Sequence, residues 1–281
     1  MQKDCNAIIK LYPKLLLINL SKMKKNVEIV VLLDKSGSMD SIWDSTIEGF
    51  NKFLVDQKEK TENAKMSLIQ FDHRYEVSYE SVNIQHVALL NHETYVPTGL
   101  TALLDSMGKS IRSLQQRLIN QEKDTIVIFV VITDGYENAS KEYTSSSIKQ
   151  MVEEMESENE WQFVYLGANQ DAISEGAKFG FTCKKSMTFA NNEEGVSNAF
   201  MSLSNNIYQC INEEVHMSFS KEDREMQEVA MNSTKERGHQ DVQDSTMNNK
   251  KGQNGMRTLK ISKKLTNRLS EIDRIDGCKI C

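Results

Sequence analysis

The apolar residues of this chain fall into two kinds of run. Val27 to Leu33 is almost wholly apolar and β-branched, the pattern of a strand covered on both faces. Asp124 to Thr133 (DTIVIFVVIT) is the strongest run of that kind. Between Ser41 and Lys60 the pattern changes, and Ile42, Ile47, Phe50, Phe53 and Leu54 recur at close to helical spacing. The same contrast predicts strands at Lys65–Phe71, Tyr75–Ile84 and Trp161–Leu166. It predicts helices at Thr101–Leu118, Ser145–Ser157, Asp171–Phe179 and Val196–Ile211. Only Asp72-His73-Arg74 separates the second and third strands, so those two pair as an antiparallel hairpin.

Strands alternating with helices predict a doubly wound sheet. We expect a Rossmann-like α/β fold: a mainly parallel six-stranded sheet, one antiparallel edge strand, and helices on both faces. Five strands are placed by the runs above; the sixth is not. Ligands of such sheets bind beyond the carboxyl ends of the strands, where strand order reverses. Polar clusters stand at three expected strand ends: Asp34-Lys35-Ser36-Gly37-Ser38, Asp134-Gly135 and Gly167-Ala168-Asn169. A fourth, Pro97-Thr98-Gly99-Leu100-Thr101, opens a helix.

Composition narrows the picture. The chain has 281 residues, 39% hydrophobic, with a net charge of −6. That charge argues against a general nucleic-acid binder, whose affinity comes mainly from cations on phosphate. An odd number of scattered cysteines is no disulfide framework. No apolar run reaches the length of a membrane helix. The apolar N-terminal stretch AIIKLYPKLLLINL is broken by Lys10, Pro13 and Lys14 and lacks a small-residue cleavage site, so a cytoplasmic protein is expected.

Three regions follow. Residues 1–22 are an N-terminal extension of open status, since Met23 followed by KKNVEIVVLLD reads as a natural start. Residues 25–212 form the α/β domain. Residues 213–281 are polar and basic, and a disordered tail is expected there. From Ser245 to Ser270 there are seven Lys or Arg and no acid. The chain ends Cys278-Lys279-Ile280-Cys281. This has the length of a prenylation box, but lysine beside the cysteine and a terminal cysteine are unusual, and we expect no membrane anchor.

The chemistry concentrates at the first strand end. Asp34, Ser36 and Ser38 alternate along an extended segment, so their side chains can converge. Thr101 at a helix start and Asp134 at another strand end complete a set made only of oxygen: two carboxylates and three hydroxyls. Hard divalent cations take such ligands, and Mg2+ keeps several waters in an octahedral shell. Two carboxylates only neutralise a dication, which leaves it able to take a further anion. The pattern therefore predicts a metal-bridged binding site for a Glu or Asp carboxylate on a partner protein.

D-x-S-x-S followed by a distant threonine and aspartate resembles the metal-ion-dependent adhesion site of von Willebrand factor A domains. Asp34-Lys35-Ser36-Gly37-Ser38 corresponds to the first element, Thr101 in TGLTALLDSM to the threonine, and Asp134 in VVITDGYENAS to the last. QFDHRYEV and WQFVYLGANQDA extend the likeness, toward small soluble A-domain proteins of bacteria and phages. It spans about Asn26 to Ile211. Leu100 departs from it, standing where the family often has glycine. The resemblance implies Mg2+ or Mn2+ on the top face of the sheet. Asp34, Ser36, Ser38, Thr101 and Asp134 would be the ligands, and no catalysis is implied. Where family members switch, capture of the carboxylate is coupled to movement of the last helix.

Other readings use the same residues. D-x-S-x-S alone is also a common turn pattern. Asp34 as the nucleophile of a phospho-aspartate enzyme would want a second acid where Ser36 stands. A serine hydrolase would want G-x-S-x-G. A scaffold with an inactive metal site would bind through its basic tail. Asp72, His73, Tyr136, Glu137, Asn138, Asn169 and Asp171 should surround the site, either as a specificity rim or as loop-capping groups, and Asp105 reads as a capping residue.

Overall fold

A computed structural model describes residues 26–61, 63–119, 125–168 and 170–233. Six strands make one sheet: β1 (Asn26–Asp34), β2 (Ala64–Phe71), β3 (Tyr75–Asn83), β4 (Thr125–Thr133), β5 (Gln162–Ala168) and β6 (Ser186–Phe189). Among the helices that connect or follow them are α1 (Trp43–Lys60), α2 (Leu103–Leu118), α3 (Ser145–Asn159), α4 (Ala172–Lys178) and α5 (Glu193–Asn212). The strand order is β3-β2-β1-β4-β5-β6. Every pairing is parallel except β2 with β3, the hairpin closed by Asp72-His73-Arg74. β6 is the strand that the apolar pattern does not place. Four residues, SMTF, are too few to show a period.

Side chains of β1 alternate between the two faces. Val27, Ile29, Val31 and Leu33 join α1 and α5 in one core, through Phe50, Phe53, Phe200 and Leu203. Val30 and Leu32 join the opposite core, with Met107 and Ile111 of α2 and Ile148 and Val152 of α3. A strand buried on both faces has no polar position to spare, so the carboxylates of Glu28 and Asp34 at its two ends stand out.

Order reverses between β1 and β4. β1 is followed by β2 on one side of it, and β4 lies on the other. The crevice beyond the carboxyl ends of β1 and β4 is the switch point, where such folds bind ligands.

Structure continues past the position where composition predicts the tail. Residues 221–233 are helical. Met217 and Phe219 are buried in the α1–α5 core. Gln227 is buried too. Its Oε1 accepts from Ala190 N at 3.1 Å and its Nε2 donates to Gly195 O at 3.1 Å. A few well-placed apolar groups and one bonded amide suffice here, although the average composition is polar. The expected boundary at 213 therefore falls short by about twenty residues. Residues 1–22, most of the predicted tail, and Cys278–Cys281 lie outside the described residues. Among the described residues no helix is long and apolar enough to cross a membrane.

Candidate metal centre

Asp34 is the last residue of β1, with 0% of it exposed. The chain beyond it leaves the sheet as a loop and enters a 3-10 turn at Gly37–Ile42. Ser36 N donates to Asp34 Oδ1 at 2.7 Å, which folds the D-x-S segment back on itself. Thr133 Oγ1, from the end of β4, donates to Asp34 Oδ2 at 2.6 Å. The Tyr95 hydroxyl donates to the Asp34 carbonyl at 2.6 Å.

The other predicted residues gather on this point. Ser36 Oγ and Ser38 Oγ are 3.1 Å apart, and Ser38 Oγ donates to Asp134 Oδ1 at 2.5 Å. Ser36 and Thr101 are buried, while Ser38 faces solvent. The Thr101 loop is fixed from three sides. Gly37 N donates to Gly99 O at 3.0 Å, Thr98 N to Lys35 O at 2.7 Å, and Ala102 N to Asp72 O at 2.9 Å. Gly99 has φ +76, and a Cβ there would lie 2.3 Å from His73 Nδ1, so both conformation and space require glycine.

Gly135 marks the centre of the cluster. A Cβ built on it would stand 3.1 Å from Thr101 Oγ1, 3.2 Å from Ser38 Oγ and 3.8 Å from Ser36 Oγ. Three hydroxyls thus converge on one small space, with the Asp34 and Asp134 carboxylates among them. No cation contacts either carboxylate among the described residues. Lys35 turns away instead, with its Nζ 2.5 Å from Glu76 Oε2. Burial lifts the Asp34 carboxyl from 3.8 to about 7, against the Thr133 and Ser36 hydrogen bonds that pull it down. Burial raises Asp134 as well, opposed by the Ser38 hydroxyl.

The all-oxygen donor set and the cradle beside Gly135 fit a hard divalent cation. Among the described residues there is no group of three or more His, Cys, Asp or Glu side chains suited to a metal. The set here differs in kind, being dominated by hydroxyls.

Most of the expected rim residues hold loops together. Asp72 is buried and pairs with Arg74, whose NH2 group is 2.6 Å from Oδ2. Glu137 accepts from Leu104 N at 2.9 Å, Ala139 N at 2.9 Å and Ser140 N at 2.7 Å, tying the loop after β4 to the start of α2. Asn138 Oδ1 accepts from Thr101 N at 2.9 Å. Asp105 accepts from Lys141 N, Glu142 N and Tyr143 N. Asp171 caps α4 through Ser174 N. Asn169 lies outside the described residues. Tyr136 alone among the rim residues of this loop extends a large side chain into solvent.

Sequence reasoning missed Thr133 and Tyr95. Thr133 had a signal, being the one hydroxyl at the end of an apolar strand. Tyr95 had none, because only the fold brings it to Asp34 from 61 residues away.

A doubly wound sheet with hydroxyl-rich loops at its switch point is the architecture in hand. The von Willebrand factor type A domain model matches residues 28–202, and the chain belongs to that family. Solved structures align with the chain at low identity. The PilB minor pilin of Streptococcus sanguinis, as its D319A mutant, aligns at 15% identity and TM-score 0.50, over 67% of this chain and 62% of that one. Proximal thread matrix protein 1 from the mussel byssus aligns at 13% identity and TM-score 0.48, over 66% of this chain and 46% of that one. A von Willebrand factor type A protein from Catenulispora acidiphila aligns at 15% and 0.45, over 65% and 42%. The chain thus spans less than half of the last two. No curated protein matches the sequence.

Proposed function

We propose that this protein is a divalent-metal-dependent protein-binding module. Asp34, Ser36, Ser38, Thr101 and Asp134 hold Mg2+, or Mn2+, and the site captures a Glu or Asp carboxylate of a partner protein. The observation that carries this reading is the convergence of three hydroxyls beside Gly135, with two desolvated carboxylates and no protein cation. A bound dication supplies the missing positive charge and, with only two protein carboxylates against it, an open position for a third anion.

Family membership supports the coarser statement, since A domains are in general protein-interaction modules. A binding role also suits the placement of Asp34. Each of its carboxylate oxygens accepts one internal hydrogen bond, which orients the group and leaves a lone pair on each oxygen for a cation.

The test is Mn2+ binding to the full chain, followed by EPR, for wild type, Asp34→Asn and Ser38→Ala. Saturable one-to-one binding that is lost in Asp34→Asn and weakened in Ser38→Ala supports the reading, provided circular dichroism shows the variants folded. Equal binding in wild type and Asp34→Asn overturns it.

A further inference from the structure

Residues 87–102 lead from the 3-10 turn at Ile84–His86 to the start of α2 without regular structure. Connections longer than about 15 residues are uncommon in a compact domain and usually carry function. This one is fastened along α1. Lys58 Nζ donates to Val87 O at 2.6 Å. Asn51 Nδ2 donates to Leu90 O at 2.9 Å, and Asn51 Oδ1 accepts from Leu90 N at 2.7 Å. Trp43 Nε1 donates to Tyr95 O at 2.7 Å. These α1 residues lie roughly two turns apart, so the loop runs from the last turn of the helix back to its first. Gln70 of β2 adds a bond from its Nε2 to Thr94 O at 2.9 Å.

The loop therefore reaches the metal centre in a fixed register. There it meets the chain beyond β1 at three successive points. The Tyr95 hydroxyl donates to Asp34 O at 2.6 Å, Thr98 N to Lys35 O at 2.7 Å, and Gly37 N to Gly99 O at 3.0 Å. The last two are backbone bonds, open to most sequences. The first depends on one side chain, and it acts on Asp34 itself. Tyr95 is fully buried. Burial, and then the charges of Asp34 and Asp134, push its hydroxyl well above the ordinary tyrosine range, so it stays protonated and able to donate. Phenylalanine would fill nearly the same volume but would leave the Asp34 carbonyl without this donor, at the point where β1 leaves the sheet. Packing alone does not ask for the hydroxyl.

We infer that Tyr95 is a positioning residue of the metal centre: its hydroxyl fixes the end of β1, and with it the Asp34 carboxylate, against the same loop that delivers Thr101. The inference rests on the metal-binding reading. One bond thus ties the first element of the ligand set to the second. A small cation with a near-octahedral shell is sensitive to that relative placement.

The experiment is a Mn2+ titration of the full chain, followed by EPR, for wild type, Tyr95→Phe, Trp43→Phe and Arg117→Met. Tyr95→Phe should weaken Mn2+ binding roughly tenfold, the usual loss when a group supporting a metal ligand is removed. It should also change the line shape of the bound ion. Trp43→Phe removes the donor to Tyr95 O and should weaken binding by a smaller factor. Arg117→Met disturbs the opposite end of β1 and should leave affinity and line shape as in wild type, which separates positioning from a general loss of stability. Circular dichroism identifies the folded variants, and Trp43→Phe decides if Tyr95→Phe does not fold. Wild-type affinity and line shape in the deciding variant overturn the role of Tyr95 and leave metal binding standing. An equal loss in Arg117→Met does the same. No saturable Mn2+ binding by wild type overturns both.

Discussion

Glu28 and Asp34 lie on the same face of the same strand, separated by Val30 and Leu32, and the protein treats them in opposite ways. Glu28 is 2% exposed and fully partnered. Ser67 Oγ donates at 3.0 Å, Ser81 Oγ at 2.9 Å and the Arg117 guanidinium at 3.3 Å. Asp34 is at least as buried, yet its partners are hydroxyls and a backbone amide, none of them charged. At the amino end of β1 the fold supplies the countercharge. At the carboxyl end it supplies five oxygens and no cation. A buried carboxylate without a cation is costly unless it is protonated or binds one from outside. The difference separates a charge paired with a cation inside the fold from one that the described residues leave without one.

The largest effect that would break this comparison is in the pH dependence of metal-free stability. The folded-state pKa of Asp34, about 7, lies above its ordinary 3.8. The stabilisation of the protonated form is thus complete below about pH 4 and is lost as pH rises through about 7. The difference reaches on the order of 4 kcal/mol. In EDTA, urea unfolding should show Asp34→Asn more stable than wild type at pH 8 and about equal to it at pH 4. A constant difference at all pH values would mean that Asp34 is not held this way. The same proton competes with metal, so Mn2+ affinity should fall roughly tenfold per pH unit below about pH 7.

Arg117→Met asks the converse question at the other end. It strands the Glu28 charge, and it should cost about 2–3 kcal/mol, discounted because Arg117 is partly exposed. Mn2+ affinity should not change. A loss of metal binding in Arg117→Met would mean that the two ends of β1 are coupled.

Gln227→Ala supplies a neutral reference. It leaves Ala190 N and Gly195 O without their buried partner and should cost about 1–2 kcal/mol by urea unfolding. Because no charge is involved, that loss should be the same at pH 5 and pH 8. A pH-dependent loss would show that the helix at 221–233 reports on a titrating group.

The strands were legible in the sequence where they were long and apolar. VEIVVLL and TIVIFVVIT have no alternative but a doubly covered sheet, and DHR is too short a link for anything but a hairpin. β6 was not legible, because four residues carry no period. The helical continuation at 221–233 was hidden by composition. Met217 and Phe219 just before it and Gln227 and Ala230 within it are buried, and an average over a long, mostly polar stretch conceals four positions.

By itself the sequence determined the kind of sheet, since periodicity is a local property, and it singled out five residues whose oxygens are of the kind that hard cations take. Tertiary structure alone decided that Ser36, Ser38 and Thr101 point to one space beside Gly135, and that Thr133 and Tyr95 hold Asp34 in place. It also decided that most of the acidic and amide residues around the site serve as loop caps, while Leu100 and Tyr136 are left in solvent. Those outcomes depend on which loops meet at the switch point. The meeting is set by strand order and by hydrogen bonds between residues far apart in the chain, where no local pattern reaches.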